Sequence, residues 1–504
     1  MGDRDGAGAT VRTALRSRQS MGLLAAVLIL AVGTVRPPPA ALTVAGQRAL
    51  AVFASALVLW LTRPVPYVVS SVLSVTLLFA LGTVDSFSAA ATGFTSTLVF
   101  FLLLLLLLGD ATTSVGLDRR LARRLLTADS TPRRALHSVA GSVLALALVM
   151  PSAMARAVTF IPIVKRLAAA FGSADDGFET GAFLVLGHVN PIASMALMTG
   201  GGMALVTSEI VATSVRPITW VDWAVLMLPP TIGLYAAATL CAGLFAAVDG
   251  ESTLGANAGT RLEADGEGTE SETDGDRPKL ETDGEGTRPE TDGDGPPALT
   301  RDQRLVGLVL LGAIAGWIVG SFAGVPTVLP AVAAVVVLSL PSVNIITADD
   351  ITAVNWGIIF LIGAMLSILE VLEATGAIVA VVDALTRWIP FAALAHWQLV
   401  AVLIGLAVGI RILFSTGSAA IVVALPIVLE LAAVFDVNRL YLALTVLLVV
   451  GSTTVLPFNT TAVLVSMDRG PLSHRDVASF GLVTMLLAVG VAAVSWLVYW
   501  PLVG

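Results

Sequence analysis

The sequence predicts an all-α polytopic membrane protein, with about eleven transmembrane helices and two re-entrant helical hairpins in an inverted repeat. Hydrophobic residues make up 56 % of the chain and charged ones 13 %, far from the balance of a soluble domain. Apolar runs of about 17–25 residues, the length that spans a bilayer, recur from Met21 to Val503. Two stretches, LVMPSAMARAVTFIPIV (Leu148–Val164) and ILFSTGSAAIVVALPIV (Ile412–Val428), set small and hydroxylated residues inside otherwise apolar runs, and a proline follows in each (Pro162, Pro426). In lipid an interrupted helix must satisfy its freed N–H and C=O groups internally, so such breaks survive only where protein buries them or a watery cavity receives them. Matching breaks in corresponding halves of a membrane protein point to a carrier's binding site.

The basic N-terminus (Arg12, Arg16, Arg18) precedes an apolar stretch at 21–35. No clear small-x-small cleavage site follows, so residues 1–45 read as a cytoplasmic N-terminus and a retained first helix. A first half, 46–248, holds spans at 46–62, 66–84, 94–116, 178–210 and 219–247. A second half, 304–504, holds spans at 304–322, 326–342, 353–377, 438–466 and 476–500. Residues 135–172 and 396–433 are too long for one helix and broken at their centres. Each fits a hairpin that enters and leaves on one side.

Between the halves lies a segment of different chemistry, 249–303. Residues 249–300 hold fifteen acids and four bases, whereas the rest of the chain is mildly basic. ETDG recurs at Glu272, Glu281 and Glu290. A Gly/Pro/Thr-rich charged tract cannot bury enough apolar surface to fold, so it reads as a disordered cytoplasmic linker, with an acidic docking site as the alternative.

Basic residues orient the scheme. With the N-terminus cytoplasmic, inner loops collect thirteen of them, Arg63, Arg133, Arg134, Lys165 and Arg166 among them, and outer loops collect five. With eleven spans the C-terminus lies outside. This is a multi-pass protein of the cytoplasmic membrane.

An internal repeat supports the inversion. TLVFFLLLLLLLGDATTSVGL (97–117) lines up with GIIFLIGAMLSILEVLEATGA (357–377) at an offset of 260, which places Phe100 on Phe360, Asp110 on Glu370 and Gly116 on Gly376. Each unit holds five spans, an odd number, so the second copy is inverted, as in alternating-access transporters. A further pair of breaks follows the hairpins: TGGGM (199–203) and TVLPFNTT (454–461). Four breaks meeting at the midplane supply half-helix N-termini for an anion and carbonyls for a cation.

Enzyme chemistry lacks its parts. Cys241 is the single cysteine, and the four histidines (His137, His188, His396, His474) show no metal-ligand spacing. No HExxH, CxxC, Walker or GxSxG motif occurs. No cofactor and no nucleic-acid partner is expected.

These residues resemble the divalent anion:sodium symporter family, the sodium-dependent carriers of dicarboxylates, citrate and sulfate. The resemblance covers nearly the whole chain outside the linker: span order, two hairpins, two broken helices, and EATG at 373–376 before the second hairpin. In that family each hairpin tip carries a Ser-Asn-Thr signature that contacts substrate and sodium. The corresponding tips here are Ser152-Ala153-Met154 and Thr416-Gly417-Ser418, so both asparagines are absent. Citrate-type members often continue with Ala-Arg, and Ala155-Arg156 matches that.

The resemblance implies substrate contacts from both tips and from Asn459, Thr460 and Thr461, and sodium contacts from Ser152, Gly200, Gly201, Thr416 and Ser418. It also implies a homodimer. Arg156, one turn past the first tip, is expected to grip a carboxylate or sulfate in place of the missing amides. For Arg411, bracing of hairpin carbonyls is the favoured role. Plainer readings stand beside these. The tip hydroxyls can bond preceding carbonyls, and Gly200–Gly202 can serve helix packing. The whole chain can be a membrane-embedded sensory, structural or enzymatic protein on a transporter-like scaffold, or a carrier of another ion class, such as arsenite or sodium/proton exchange.

Overall fold

The computed structural model of the chain describes residues 3–40, 42–120, 131–148, 150–171, 176–248, 299–388 and 391–503. The acidic linker expected at 249–303 falls mostly outside them. Every regular element among the described residues is helical.

The first half runs through α1 (Asp3–Val35), α2 (Val44–Thr62), α3 (Tyr67–Ala80), α4 (Thr97–Ser114), α5 (Pro132–Ala147), α6 (Ala153–Phe171), α7 (Asp176–Leu184), α8 (Gly202–Ser214) and α9 (Trp220–Phe245). The second half follows with α10 (Arg301–Ala323), α11 (Val328–Ser339), α12 (Trp356–Ala374), α13 (Ala377–Trp388), α14 (His396–Leu413), α15 (Gly417–Val434), α16 (Arg439–Ser452), α17 (Thr461–Arg469) and α18 (His474–Val494).

The repeat seen in the sequence extends through the elements. Helices α2 to α9 recur in order as α10 to α12 and α14 to α18 at an offset close to 260. Gly116 and Gly376, paired by the sequence, both adopt the left-handed backbone (φ 67° and 71°) at the end of α4 and α12. A glycine is the residue that turns there without a Cβ clash.

Side chains start the helices where the sequence provides hydroxyls. Thr43 Oγ1 accepts from Gly46 N, Thr131 Oγ1 from Arg134 N, and Thr219 and Ser473 form reciprocal boxes with Asp222 and Asp476. Each satisfies amides that the first helical turn leaves open.

Eight of the described helices (α2, α4, α9, α10, α12, α14, α15 and α18 with its continuation to Val503) are long and apolar enough to cross a membrane. The expected spans at 178–210 and 438–466 are not among them, because each is divided. Helix α7 widens through a π turn at Val185–Val189, continues over Asn190–Ala193 and stops before Gly201; α16 stops at Ser452. α1 is longer than the apolar stretch at 21–35 and reaches back to Asp3.

Burial sorts the helices. Every residue of the segment Ala182–Gly201 is buried, as is nearly all of α16. The outer helices face outward with bare apolar side chains, such as Leu308 and Phe322 on α10, as a lipid-facing surface requires. The halves interlock at the centre, with α8 against α15 and α17 against α6. They also close where α3 meets α12. There Gly93 N donates to Ser367 Oγ (3.0 Å), and a Cβ on Gly93 would lie 2.3 Å from the Gly363 carbonyl.

Candidate substrate and cation site

Two short non-helical segments turn the chain between paired helices: Met150–Ser152 before α6 and Phe414–Thr416 before α15. Proline and small residues allow this, since Pro151 has no amide to continue α5 and Gly417 opens α15 directly. Ser152 Oγ accepts from Ala155 N (3.2 Å), so the first tip serine caps α6. Thr416 makes no such bond with its side chain.

Each break in the following span ends in a new helix start. In the first half Met198–Gly200 forms one tight turn, Gly201 is extended (φ 167°), and α8 begins at Gly202. In the second, Thr453–Leu456 is extended, Pro457–Asn459 forms a tight turn, and Thr460 Oγ1 accepts from Val463 N (3.2 Å) to cap α17.

The four helix starts surround one cavity of about 210 Å³. Its lining includes Ser152–Met154, Gly201–Met203, Thr416–Ser418 and Thr460–Ala462, the first residues of or just before α6, α8, α15 and α17. Free amides and the aligned peptide dipoles make helix N-termini favourable for an anion. Leu102, Leu105 and Leu106 of α4 and Ile358 of α12 form an apolar wall. None of the described lining residues carries a formal charge.

Most of the residues singled out from the sequence meet here. Ser152, Ala153, Met154, Thr416, Gly417, Ser418, Asn459, Thr460 and Thr461 line the cavity, and so does Gly201. The two halves touch across it, where a Cβ on Gly202 would lie 2.9 Å from Ser418 Oγ. Gly200 stands behind the lining, and a Cβ there would lie 2.6 Å from the Ser194 carbonyl.

Arg156 is placed differently from the expectation. It is fully buried and absent from the cavity lining. Its Nε donates to Asn190 Oδ1 (2.8 Å), Nη2 to Ser194 Oγ (2.7 Å) and to the Asn190 carbonyl (3.2 Å), and Nη1 to the Met150 carbonyl. In this conformation the guanidinium faces the scaffold that holds the first tip.

The second half has the same device in another register. Arg411 is almost wholly buried and donates to the carbonyls of Val450 (3.1 Å), Phe414 (2.8 Å) and Asn459 (2.8 Å). This is the bracing role favoured for it from the sequence. Asn459 completes the brace. Its Nδ2 donates to Ile412 O and Phe414 O (3.2 and 2.9 Å), and its Oδ1 accepts from Leu456 N (2.9 Å). Asn459 therefore lines the cavity with its amide committed to the tip.

Sequence reasoning missed Asn190, whose Nδ2 donates to Ala153 O (2.7 Å) and Leu186 O (3.2 Å). It also missed Ser194 and Ser415 in the lining. The asparagine had a signal in HVNP (188–191), a polar residue inside an apolar span.

Comparison with known proteins agrees with this architecture. The family described as "Sodium:sulfate symporter transmembrane region" matches residues 17–504. A relative from Cupriavidus necator, described as "Membrane protein", is 24 % identical over 512 residues, covering 96 % of this chain and 93 % of its own.

Proposed function

Because the chain belongs to the sodium:sulfate symporter family, we propose that it is a secondary active transporter of a small divalent anion, such as a C4-dicarboxylate, citrate or sulfate, carried with sodium by alternating access. The observation that carries this reading is the uncharged cavity ringed by four helix starts. A dianion taken from water into such a place needs countercharge, because an unpaired charge there is costly. Helix N-termini supply part of it. A co-bound cation supplies the rest, and hydroxyls of Ser152, Thr416 and Ser418 with carbonyls around Gly200 and Gly201 offer oxygen ligands of the hard kind that sodium takes. Cation binding and anion binding then favour each other, which is the thermodynamic content of symport.

The same reading takes α5–α6 and α14–α15 as re-entrant hairpins in inverted halves, with the N-terminus cytoplasmic and the protein a homodimer in the cytoplasmic membrane. The buried braces support alternating access, since they tie each tip to its own broken helix and let the helix starts move together. The test is uptake by proteoliposomes of radiolabelled succinate, citrate, malate and sulfate under sodium or proton gradients. Uptake of at least one anion that stops when choline replaces sodium is expected. Equal uptake in choline would overturn the sodium coupling, and no uptake of any anion would overturn the transporter reading.

A further inference from the structure

A second cavity, of about 540 Å³, adjoins the first, and Ser415, Thr460 and Thr461 line both. Its other polar lining residues are Gln19, Thr62 and Arg63. Among the described residues that line the two cavities, Arg63 is the one with a formal charge. It is exposed, so it meets an entering solute before that solute reaches the uncharged chamber.

The backbone at Arg63 is unusual for an arginine. It ends α2 in the left-handed conformation (φ 49°), its N–H returning to the Leu59 carbonyl. The corresponding helix, α10, ends in the same way at Gly324 (φ 69°), whose N–H returns to Gly320 O. Glycine meets the conformational need there. An arginine in its place takes a backbone that L side chains rarely adopt, and strain of this kind concentrates at functional positions.

The side chain is aimed. The guanidinium lies over the Tyr67 ring (4.9 Å to its centre), and Nη2 donates to Ser415 Oγ (2.7 Å), with Tyr67 Oη 3.3 Å from the same hydroxyl. Gln19 Nε2 donates to the Arg63 carbonyl (3.3 Å) and steadies the loop. Among the described residues one donor of the guanidinium fork is engaged, by a neutral hydroxyl. A carboxylate or sulfate oxygen pair accepts from such a fork twice, with charge assistance.

We propose that this second cavity is an entry site for the transported dianion, where Arg63 binds one carboxylate or sulfate group and the anion displaces Ser415 from it. This rests on the transporter reading above. Ser415 directly precedes Thr416, so the displaced hydroxyl belongs to the segment that forms the second tip. Anion arrival at Arg63 thus releases the tip from the α2–α3 turn. In the positive-inside orientation this mouth faces the cytoplasm. The competing account is an arginine that merely sets topology or reaches to the interface, and it requires neither the strained backbone nor the aimed donor.

The test compares wild type with Arg63→Gln, Arg63→Lys, Arg63→Gly and Ser415→Ala, using sulfate and succinate as probes. Two readouts are taken: uptake KM in proteoliposomes, and the anion concentration that half-saturates thermal stabilisation of the detergent-purified protein. Arg63→Gln and Arg63→Gly are expected to raise both at least tenfold. Arg63→Gly relieves the backbone, so it remains interpretable if Arg63→Gln folds poorly. Arg63→Lys should recover part of the affinity, and Ser415→Ala should leave affinity equal or tighter. Unchanged KM and half-saturation in Arg63→Gly, beside an active wild type, would overturn the entry site and leave the transporter reading standing. A wild type neither stabilised by nor transporting either probe would overturn both.

Discussion

Arg411 Nη2 donates to the carbonyl of Asn459 at 2.8 Å, while the Asn459 amide donates back to Phe414 O beside the tip that Arg411 precedes. The reciprocal bonds join α14 to the break before α17. Arg156 and Asn190 do the same between α6 and the span that follows α7. Yet the alignment of the two tips, Ser152 on Thr416, would pair Arg156 with Ala420 and Arg411 with Ala147, so the arginines are not copies of one ancestral position. One follows its tip and the other precedes it. Each half satisfies the carbonyls at its broken turn by the same physical means, reached separately.

Removal of Arg411 should therefore act on stability before it acts on transport. Arg411→Gln leaves the Asn459 carbonyl without its donor, at a cost of about 1–3 kcal/mol, and takes one of two donors from Phe414 O and Val450 O, which keep Asn459 Nδ2 and Thr453 N. We expect a loss of at least about 1 kcal/mol, seen as a fall in the melting temperature of the detergent-purified protein. Arg411→Lys should lie between, because an ammonium cannot reproduce the planar fork. Equal melting temperatures for wild type and Arg411→Gln would refute the bracing role.

Arg156 offers a cleaner separation between bracing and ligand binding. A double-mutant cycle of Arg156→Gln and Asn190→Ala should show a coupling of about 1–3 kcal/mol in stability, since the two side chains share a bond and a tip. Substrate KM in whatever Arg156→Gln protein folds should stay within about threefold of wild type, well under one 1.4 kcal/mol tenfold step. A large rise in KM with unchanged melting would instead return Arg156 to the substrate, as its distance from the tip first suggested.

Much of this was legible because lipid enforces it. A polar or kinked segment inside an apolar run needs a reason, so PSAM, STGS, TGGGM and LPFNTT announced the four breaks, and the structure gathers all four around one chamber. The repeat was legible through Gly116 and Gly376, which turn the chain in the same way. What stayed hidden depended on direction. Spacing puts Arg156 one turn past a tip but does not say which face of α6 points to the cavity. Asn190, 34 residues away, carries no mark of its partnership with Arg156. Arg63 and Ser415 lie 352 positions apart, and each looks ordinary in its own segment.

A close approach of the two halves across the cavity yields a third prediction. A Cβ on Gly202 would lie 2.9 Å from Ser418 Oγ, so Gly202→Ala should push that hydroxyl off its place while α8 and α15 stay folded. Ser418→Ala removes the same oxygen without crowding. If Ser418 helps to hold sodium, both variants should raise the sodium concentration for half-maximal uptake about tenfold, near the 1.4 kcal/mol expected for one lost ligand bond. Sodium dependence identical to wild type in Ser418→Ala would remove Ser418 from the cation site.

The last prediction concerns the acidic tract between the halves. Val221 N at the start of α9 donates to Ser321 Oγ (3.2 Å), near the end of α10, and Trp220 stacks on Trp317 (6.3 Å between ring centres). The two helices therefore run in opposite directions, which brings the end of α9 and the start of α10 to one face. Each is long enough to cross the bilayer, at about 1.5 Å per residue. A connector between ends on one face needs little length. Deletion of Thr253–Gly295 leaves seven residues between Val248 and Leu299, at most about 28 Å when extended. We expect that variant to reach the membrane at wild-type abundance with uptake within twofold of wild type. Normal abundance with lost uptake would mean that the repeated ETDG motif acts on transport, by docking or by sensing, and is more than a tether.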